Sequence, residues 1–229
     1  MQRVRTEMHM EGVTIAYGMT ETSPVSTMCA PDDPVARRVG SVGTVMPHLE
    51  VKLVGPDGRA VPRGSPGELC TRGSSVMPGY WDDPAKTAEA IDPAGWMRTG
   101  DLATMDTEGF VNIVGRLKDL VIRGGENVYP REVEDCLHGH PAVLDVQVIG
   151  VPDAKYGEEV CAWVRLRPGA AASAEDLRAF CKGQIAHFKA PRYFEFVDEF
   201  PLTVSGKVQK FVMRNQTIAK LGLATQQTA

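Results

Sequence analysis

Hydrophobic and polar positions follow two regimes along the chain. In the first, apolar runs are short and broken by Gly and Pro. Val13-Thr-Ile-Ala16 is strand-like. Leu49 to Val54 alternates apolar and polar, and Pro56-Asp57-Gly58 supplies a turn, so this stretch predicts a hairpin. Glu68-Leu-Cys-Thr71, between Gly67 and Gly73, predicts another strand. Asp83-Pro84 reads as an N-cap with Pro at the first helical position, opening a short helix through Ile91. Asp106 to Gly109 predicts a turn before a strand from Phe110 to Val114.

The second regime alternates helices with strands. Pro130 opens a helix with Val133 and Leu137 on one face, and Glu132, Glu134 and Asp135 complement the dipole of its first turns. Val143 to Ile149, interrupted by Asp145 and Gln147, predicts a half-exposed strand, and Glu159 to Leu166 a second one. Ser173 is the expected N-cap of a helix whose stripe is Leu177, Phe180, Cys181 and Ile185. Arg192 to Val197 predicts a third strand. The expected fold class is α+β. The expected domains are a β-rich part over 1–114, a polar hinge over 115–119 and a small α+β domain over 120–229. The tail after Leu223 is expected to be disordered.

Charge narrows the function classes. Lys+Arg 25 against Asp+Glu 29 leaves a net charge of −4, so the chain as a whole is no basic nucleic-acid binder. Hydrophobic residues at 43% argue against a disordered chain. No apolar run approaches the ~20 residues of a membrane helix. Met1 to Gly12 lacks the apolar core of a signal peptide. The five cysteines, Cys29, Cys70, Cys136, Cys161 and Cys181, are odd in number and widely spaced. They read as free thiols in a reducing cytoplasm rather than as a disulfide framework. His138-Gly-His140 lacks partners at zinc spacing and reads as a solvated helix end.

Four clusters carry candidate chemistry. Tyr17-Gly18-Met19-Thr20-Glu21 joins an aromatic ring, a glycine, a hydroxyl and a carboxylate at a strand end. The ring can stack on a base, the hydroxyl can reach a phosphate, and Glu21 can give Mg²⁺ one oxygen, the remainder coming from phosphates and water. Thr99-Gly100-Asp101 presents a carboxylate whose two oxygens suit a vicinal diol. Gly115-Arg116-Leu-Lys118-Asp119 leads into Arg123-Gly124-Gly125-Glu126-Asn127-Val-Tyr129-Pro130. Pro201-Leu-Thr-Val-Ser-Gly206-Lys207 sets a lysine on a small-residue turn, suited to a developing negative charge. Each cluster read alone is more simply a loop, a turn, a linker or a surface lysine.

Their order and combination, with Gly67-Glu68-Leu69, Arg72-Gly73 and Gly79-Tyr80, closely resemble the adenylate-forming ligases: acyl-CoA synthetases, adenylation domains and firefly luciferase. The resemblance runs from Tyr17 to Lys207. It implies that Tyr17, Thr20, Asp101 and Arg116 bind ATP or AMP, that Gly18 and Met19 lie beside the acyl carboxylate, and that Glu21 binds Mg²⁺. It makes Lys118 the hinge, Gly124 and Gly125 the loop near CoA, and Lys207 the catalytic lysine. The stretch around Gly124 and Gly125 looks most like that of fatty acyl-CoA synthetases.

The implied reaction has two steps. A carboxylic acid reacts with ATP to give acyl-adenylate and pyrophosphate, and the acyl group then passes to CoA after a rotation about Lys118. The expected partners are small molecules (acid, ATP and CoA), with no nucleic acid and the oligomeric state open. The family's phosphate loop, of the T-S-G-T-T-G-x-P-K kind, is absent from the sixteen residues before Tyr17. The expectation is therefore a C-terminal portion of a ligase that lacks its N-terminal part. The alternative is a truncated, non-catalytic nucleotide-binding or interaction module.

Overall fold

The computed structural model describes residues 2–223, so the tail expected to be disordered lies outside the described residues. The chain is mixed α+β and divides into two units, Met1–Leu117 and Lys118–Ala229.

The first unit opens with helix α1 (Gln2–Glu7). Strands β1 (Ala16–Tyr17) and β2 (Thr27–Met28), helix α2 (Val35–Gly40) and strand β3 (Thr44–Val45) follow, with the strands in one antiparallel sheet of order β1-β2-β3. Of the strand expected over Val13–Ala16 only Ala16 is in β1. Its partner β2 lies between Pro24 and Pro31, and proline cannot donate to a ladder. Next come β4 (Leu49–Val54), β5 (Gly67–Gly73), α3 (Pro84–Ala90), β6 (Met97–Met105) and β7 (Val111–Arg116). These four strands form an antiparallel meander in sequence order. Asp83 caps α3 as its sequence predicts, accepting from the backbone N–H of Lys86 at 2.9 Å. Leu53, Leu69, Ala103, Met105 and Val111 form the core of this sheet, and Tyr17 packs against them. Strand β7 runs through Arg116, so Gly115 and Arg116 belong to the ladder. Only Leu117–Asp119, a short 3₁₀ turn, remains of the polar junction.

The second unit contains β8 (Val121–Arg123), β9 (Glu126–Val128), α4 (Pro130–His138), β10 (Val143–Asp153), β11 (Gly157–Leu166), α5 (Ala174–Cys181), β12 (Tyr193–Phe196) and α6 (Lys210–Leu221). The sheet order is β10-β11-β8-β9, with β12 parallel to β11. Val133 and Leu137 of α4 are fully buried against Val146, Val148, Val160 and Leu177.

β10 is half-exposed over the expected stretch: Leu144 is exposed and Asp145 and Gln147 half-buried, while Val143, Val146 and Val148 are buried in the core under α4. Beyond it the strand runs on into buried Val151, which packs with Ile149 and Met213 of α6. One expectation changes here. Helix α5 stops at Cys181, so Ile185 is not on its stripe. Gly183 takes a positive φ of 84°, and the chain folds back to seat Ile185 against the same core.

Buried polar groups in this unit are paired. Glu134 accepts from the Val148 N–H at 2.8 Å and from Lys210 Nζ at 2.7 Å. Trp163 Nε1 donates to Thr217 Oγ1 at 2.9 Å. All five cysteines are free thiols, four of them buried. Burial pushes the thiols of Cys161 and Cys181 up to about 12. Among the described residues, no helix is long and apolar enough to cross a membrane.

Leu177 lies wholly inside this core. Leu177→Ala is expected to lower unfolding stability by about 2–5 kcal/mol, through lost burial and the cavity left behind. Urea denaturation followed by circular dichroism reads this as a lowered midpoint, and an unchanged midpoint would show that the α5 stripe adds nothing.

Candidate functional site

Strand pairing makes the centre of the site. The β6–β7 register sets Asp101 directly opposite Arg116, so residues of two separate sequence motifs are cross-strand neighbours in the sheet. Arg116 Nε stands 3.2 Å from Asp101 Oδ1. The other oxygen, Oδ2, accepts a hydrogen bond from the Tyr17 hydroxyl at 2.6 Å. The Asp101 side chain is only 12% exposed, so these two partners offset a desolvation that an unpaired carboxylate would not tolerate. The backbone is fixed too: the Asp101 N–H donates to Thr99 Oγ1 at 3.1 Å, and Thr99 Oγ1 donates to the Leu69 carbonyl at 2.7 Å. Glu68, itself buried, accepts from the Gly100 N–H at 3.2 Å and from Arg98 Nε at 2.9 Å.

Tyr17 is held at the end of β1. Burial first, and then the bond to Asp101, raise its phenol well above the usual tyrosine range, so at neutral pH it is a donor. Gly18 next to it has a reason internal to the protein: a Cβ there would lie 1.6 Å from the Pro24 carbonyl oxygen. The turn beyond is stapled by Thr22, fully buried, whose hydroxyl lies 3.0 Å from the Met19 carbonyl and 3.1 Å from the Met19 N–H. Thr20 and Glu21 sit on the 3₁₀ turn Thr20–Thr22, with Thr20 exposed.

Glu21 is gripped from the segment before α3. Its carbonyl accepts from the Met77 N–H at 2.9 Å, and its Oε1 accepts from the Tyr80 hydroxyl at 3.1 Å. Among the described residues, no group of three or more His, Cys, Asp or Glu side chains is placed to hold a metal ion. Glu21 is thus a single hard oxygen donor. It fits a cation such as Mg²⁺ that takes its other ligands from phosphates and water, and it does not fit an all-protein metal cage.

The remaining predicted residues lie on turns of the second unit. Lys118 is exposed in the Leu117–Asp119 turn. Gly124 and Gly125 join β8 to β9 with φ of 60° and 88°, which favours glycine at both positions. The Gly124 N–H donates to the Tyr156 carbonyl at 2.8 Å. Lys207 is exposed at the end of a tight turn, where its N–H donates to Thr203 Oγ1 at 3.0 Å and its carbonyl accepts from the Thr203 N–H at 2.8 Å.

The structure therefore brings Tyr17, Asp101 and Arg116 into one cluster, with Glu21 on the same loop as Tyr17. Sequence reasoning assigned no role to Thr22, Glu68 or Tyr80. Gly67-Glu68 and Gly79-Tyr80 are present in the motif set, but no spacing rule ties Tyr80 to a carboxylate 59 positions earlier.

Residues 1–81 match the family described as AMP-binding enzyme, and residues 132–207 match the AMP-binding enzyme C-terminal domain. YngI of Bacillus subtilis (strain 168), provisionally named an acyl-CoA synthetase, is 53% identical over 228 residues, which is 99% of this chain and 42% of YngI. The mitochondrial medium-chain acyl-CoA ligase ACSF2 of Macaca fascicularis is 50% identical over 224 residues, 97% of this chain and 36% of ACSF2. The crystal structure of ATP-bound MatB from Rhodopseudomonas palustris superposes with a TM-score of 0.83 at 40% identity, covering 90% of this chain and 40% of MatB. The chain thus spans about two fifths of the length of the curated relatives it matches.

A phenol held protonated by burial stabilises the fold fully below the ordinary tyrosine pKa and loses that contribution as pH rises through its own raised value. Tyr17→Phe is therefore expected to leave the phenolate absorbance that develops near pH ~10 unchanged, and to remove a component that appears only at higher pH. Loss of a component at about pH 10 on Tyr17→Phe would contradict the Tyr17–Asp101 bond.

Proposed function

Because the chain belongs to the AMP-binding enzymes, the adenylate-forming ligases that include the acyl-CoA synthetases, we propose that it serves in a ligase that activates a carboxylic acid with ATP and passes the acyl group to CoA. The observation that carries this reading is Asp101, a nearly buried carboxylate fixed by Tyr17 and Arg116 beside the Tyr17–Glu21 turn. Such a carboxylate is already oriented to accept from ribose hydroxyls, so little of its freedom is lost on binding.

On this reading the substrate carboxylate attacks the α-phosphorus of ATP and pyrophosphate leaves. Tyr17 lies against the base and Thr20 reaches phosphate. Asp101 accepts from the ribose, and Arg116 contacts ribose or phosphate while neutralising Asp101. Gly18 and Met19 border the acyl carboxylate. Mg²⁺, held in part by Glu21, would neutralise phosphate charge. Lys207, on its exposed turn, donates to the oxygens on which negative charge grows. Lys118 is the pivot, and the Gly124-Gly125 turn is the element nearest CoA in the second step. The acid is a fatty acid, a reading supported by the name of ACSF2 and by the sequence around Gly124 and Gly125. Free, mostly buried thiols support a reducing cytoplasm as the compartment.

The half-reactions separate the roles. In a chimera with this chain in place of the matched part of ACSF2, Lys207→Ala is expected to slow acid-dependent pyrophosphate release ~10²–10³-fold. Thioester formation from pre-made acyl-adenylate is expected to stay near its original rate. Equal loss in both half-reactions would overturn the assignment of Lys207.

A further inference from the structure

The Glu21 carboxylate has one oxygen in the grip of Tyr80 and one that receives no hydrogen bond or ion pair from any described residue. A carboxylate in that state points a single free oxygen in a set direction. We propose that Tyr80 is the positioning residue for Glu21, fixing its carboxylate so that the free oxygen is offered to a divalent cation; this rests on the reading of Glu21 as a cation ligand.

The grip has two points. Met77 holds the Glu21 backbone through N–H to carbonyl, and Tyr80 holds the side chain, so one short segment controls both ends of the residue. Tyr80 is in turn anchored by α3. Its N–H donates to Thr87 Oγ1 at 2.9 Å, and Thr87 Oγ1 donates to the Asp83 carbonyl at 2.8 Å. Gly79 lies so close to Thr87 that a Cβ there would sit 2.9 Å from its side chain, which seats the segment against the helix. Lys86 Nζ lies 4.4 Å over the Tyr80 ring.

A phenol hydroxyl keeps its proton at neutral pH and so can donate to the carboxylate. Hydrogen bonds of this kind to a metal-binding carboxylate set its orientation, and their removal typically weakens metal binding by 10–100-fold. The helix that the Asp83-Pro84 cap starts therefore has a purpose beyond the fold: it is the support on which the cation ligand is aimed.

The test titrates Mn²⁺ into the full 229-residue chain in the presence of ATP. Paramagnetic broadening of the backbone amides of Thr20, Glu21 and Thr22 reports occupancy. Tyr80→Phe, which keeps the ring beneath Lys86, is expected to raise the Mn²⁺ concentration for half-broadening about 10-fold. Its ATP affinity in chelator is expected to stay unchanged, a split that a general loss of structure would not give. Thr87→Val, which loosens the anchor, is expected to shift the titration the same way by less. If Glu21→Gln abolishes broadening while Tyr80→Phe and Thr87→Val titrate like the unsubstituted chain, the role of Tyr80 is wrong and that of Glu21 stands. If Glu21→Gln has no effect, or the unsubstituted chain shows no local broadening, both readings fall.

Discussion

A carboxylate that has nearly left water must find its hydrogen bonds inside the protein, and the arrangement of the first unit follows from how Asp101 does so. One oxygen takes the Tyr17 phenol and the other faces the Arg116 guanidinium. The first bond ties the end of the three-stranded sheet to the four-stranded one, across 84 positions of sequence. The second depends on the β6–β7 register, because a slip of one residue would turn Arg116 to the opposite face. With Tyr17 fixed, the turn that follows it is also fixed, since the Gly18 backbone packs too closely on the Pro24 carbonyl to admit a side chain and Thr22 closes the loop on Met19. Orientation of the Thr20–Thr22 turn is then a consequence of packing, and no ligand is required to create it.

The second unit solves a different problem. Its predicted functional groups stand on exposed turns, so the rigidity lies beneath them. Arg123, the residue before Gly124, is paired in two places with the fully buried Glu159 and lies over the Tyr156 ring at 4.2 Å. The Tyr156 carbonyl also accepts the Gly124 N–H, so the Gly-Gly turn is tied to the turn between β10 and β11 by side chain and backbone alike. Lys210, three residues after Lys207, is committed to Glu134 and the Val148 carbonyl, which fixes the start of α6 directly behind the lysine turn. Two lysines so near in sequence thus have opposite surroundings, one inside an ion pair and one exposed.

Much of this was legible in the residues. Capping signals at Asp83 and Ser173, the Asp106–Gly109 turn and the paired faces of α4 depend on local rules, and these elements are where those rules put them. Motif residues such as Tyr17 and Asp101 could be named as candidates because their chemistry is carried by residue type. Their direct bond could not be named, since sheet register and the packing of distant loops decide it. The same limit hid Tyr80 and Glu68, ordinary residues until a partner far along the chain gives them one. Local pattern also misplaces Ile185, because the helical stripe ends at Cys181 and the chain reverses at Gly183 before Ile185 reaches the same core.

Nucleotide recognition in this site depends on Asp101 accepting from ribose hydroxyls, and isothermal titration can address that bond alone. The chain should bind AMP, and binding of 2′,3′-dideoxy-AMP should be weaker by about 10-fold or more, as expected when hydrogen bonds to a charged acceptor are lost. Asp101→Asn should bind both nucleotides with the weak affinity of the analogue. Equal affinity of the unsubstituted chain for AMP and its dideoxy analogue would show that Asp101 does not bind the ribose.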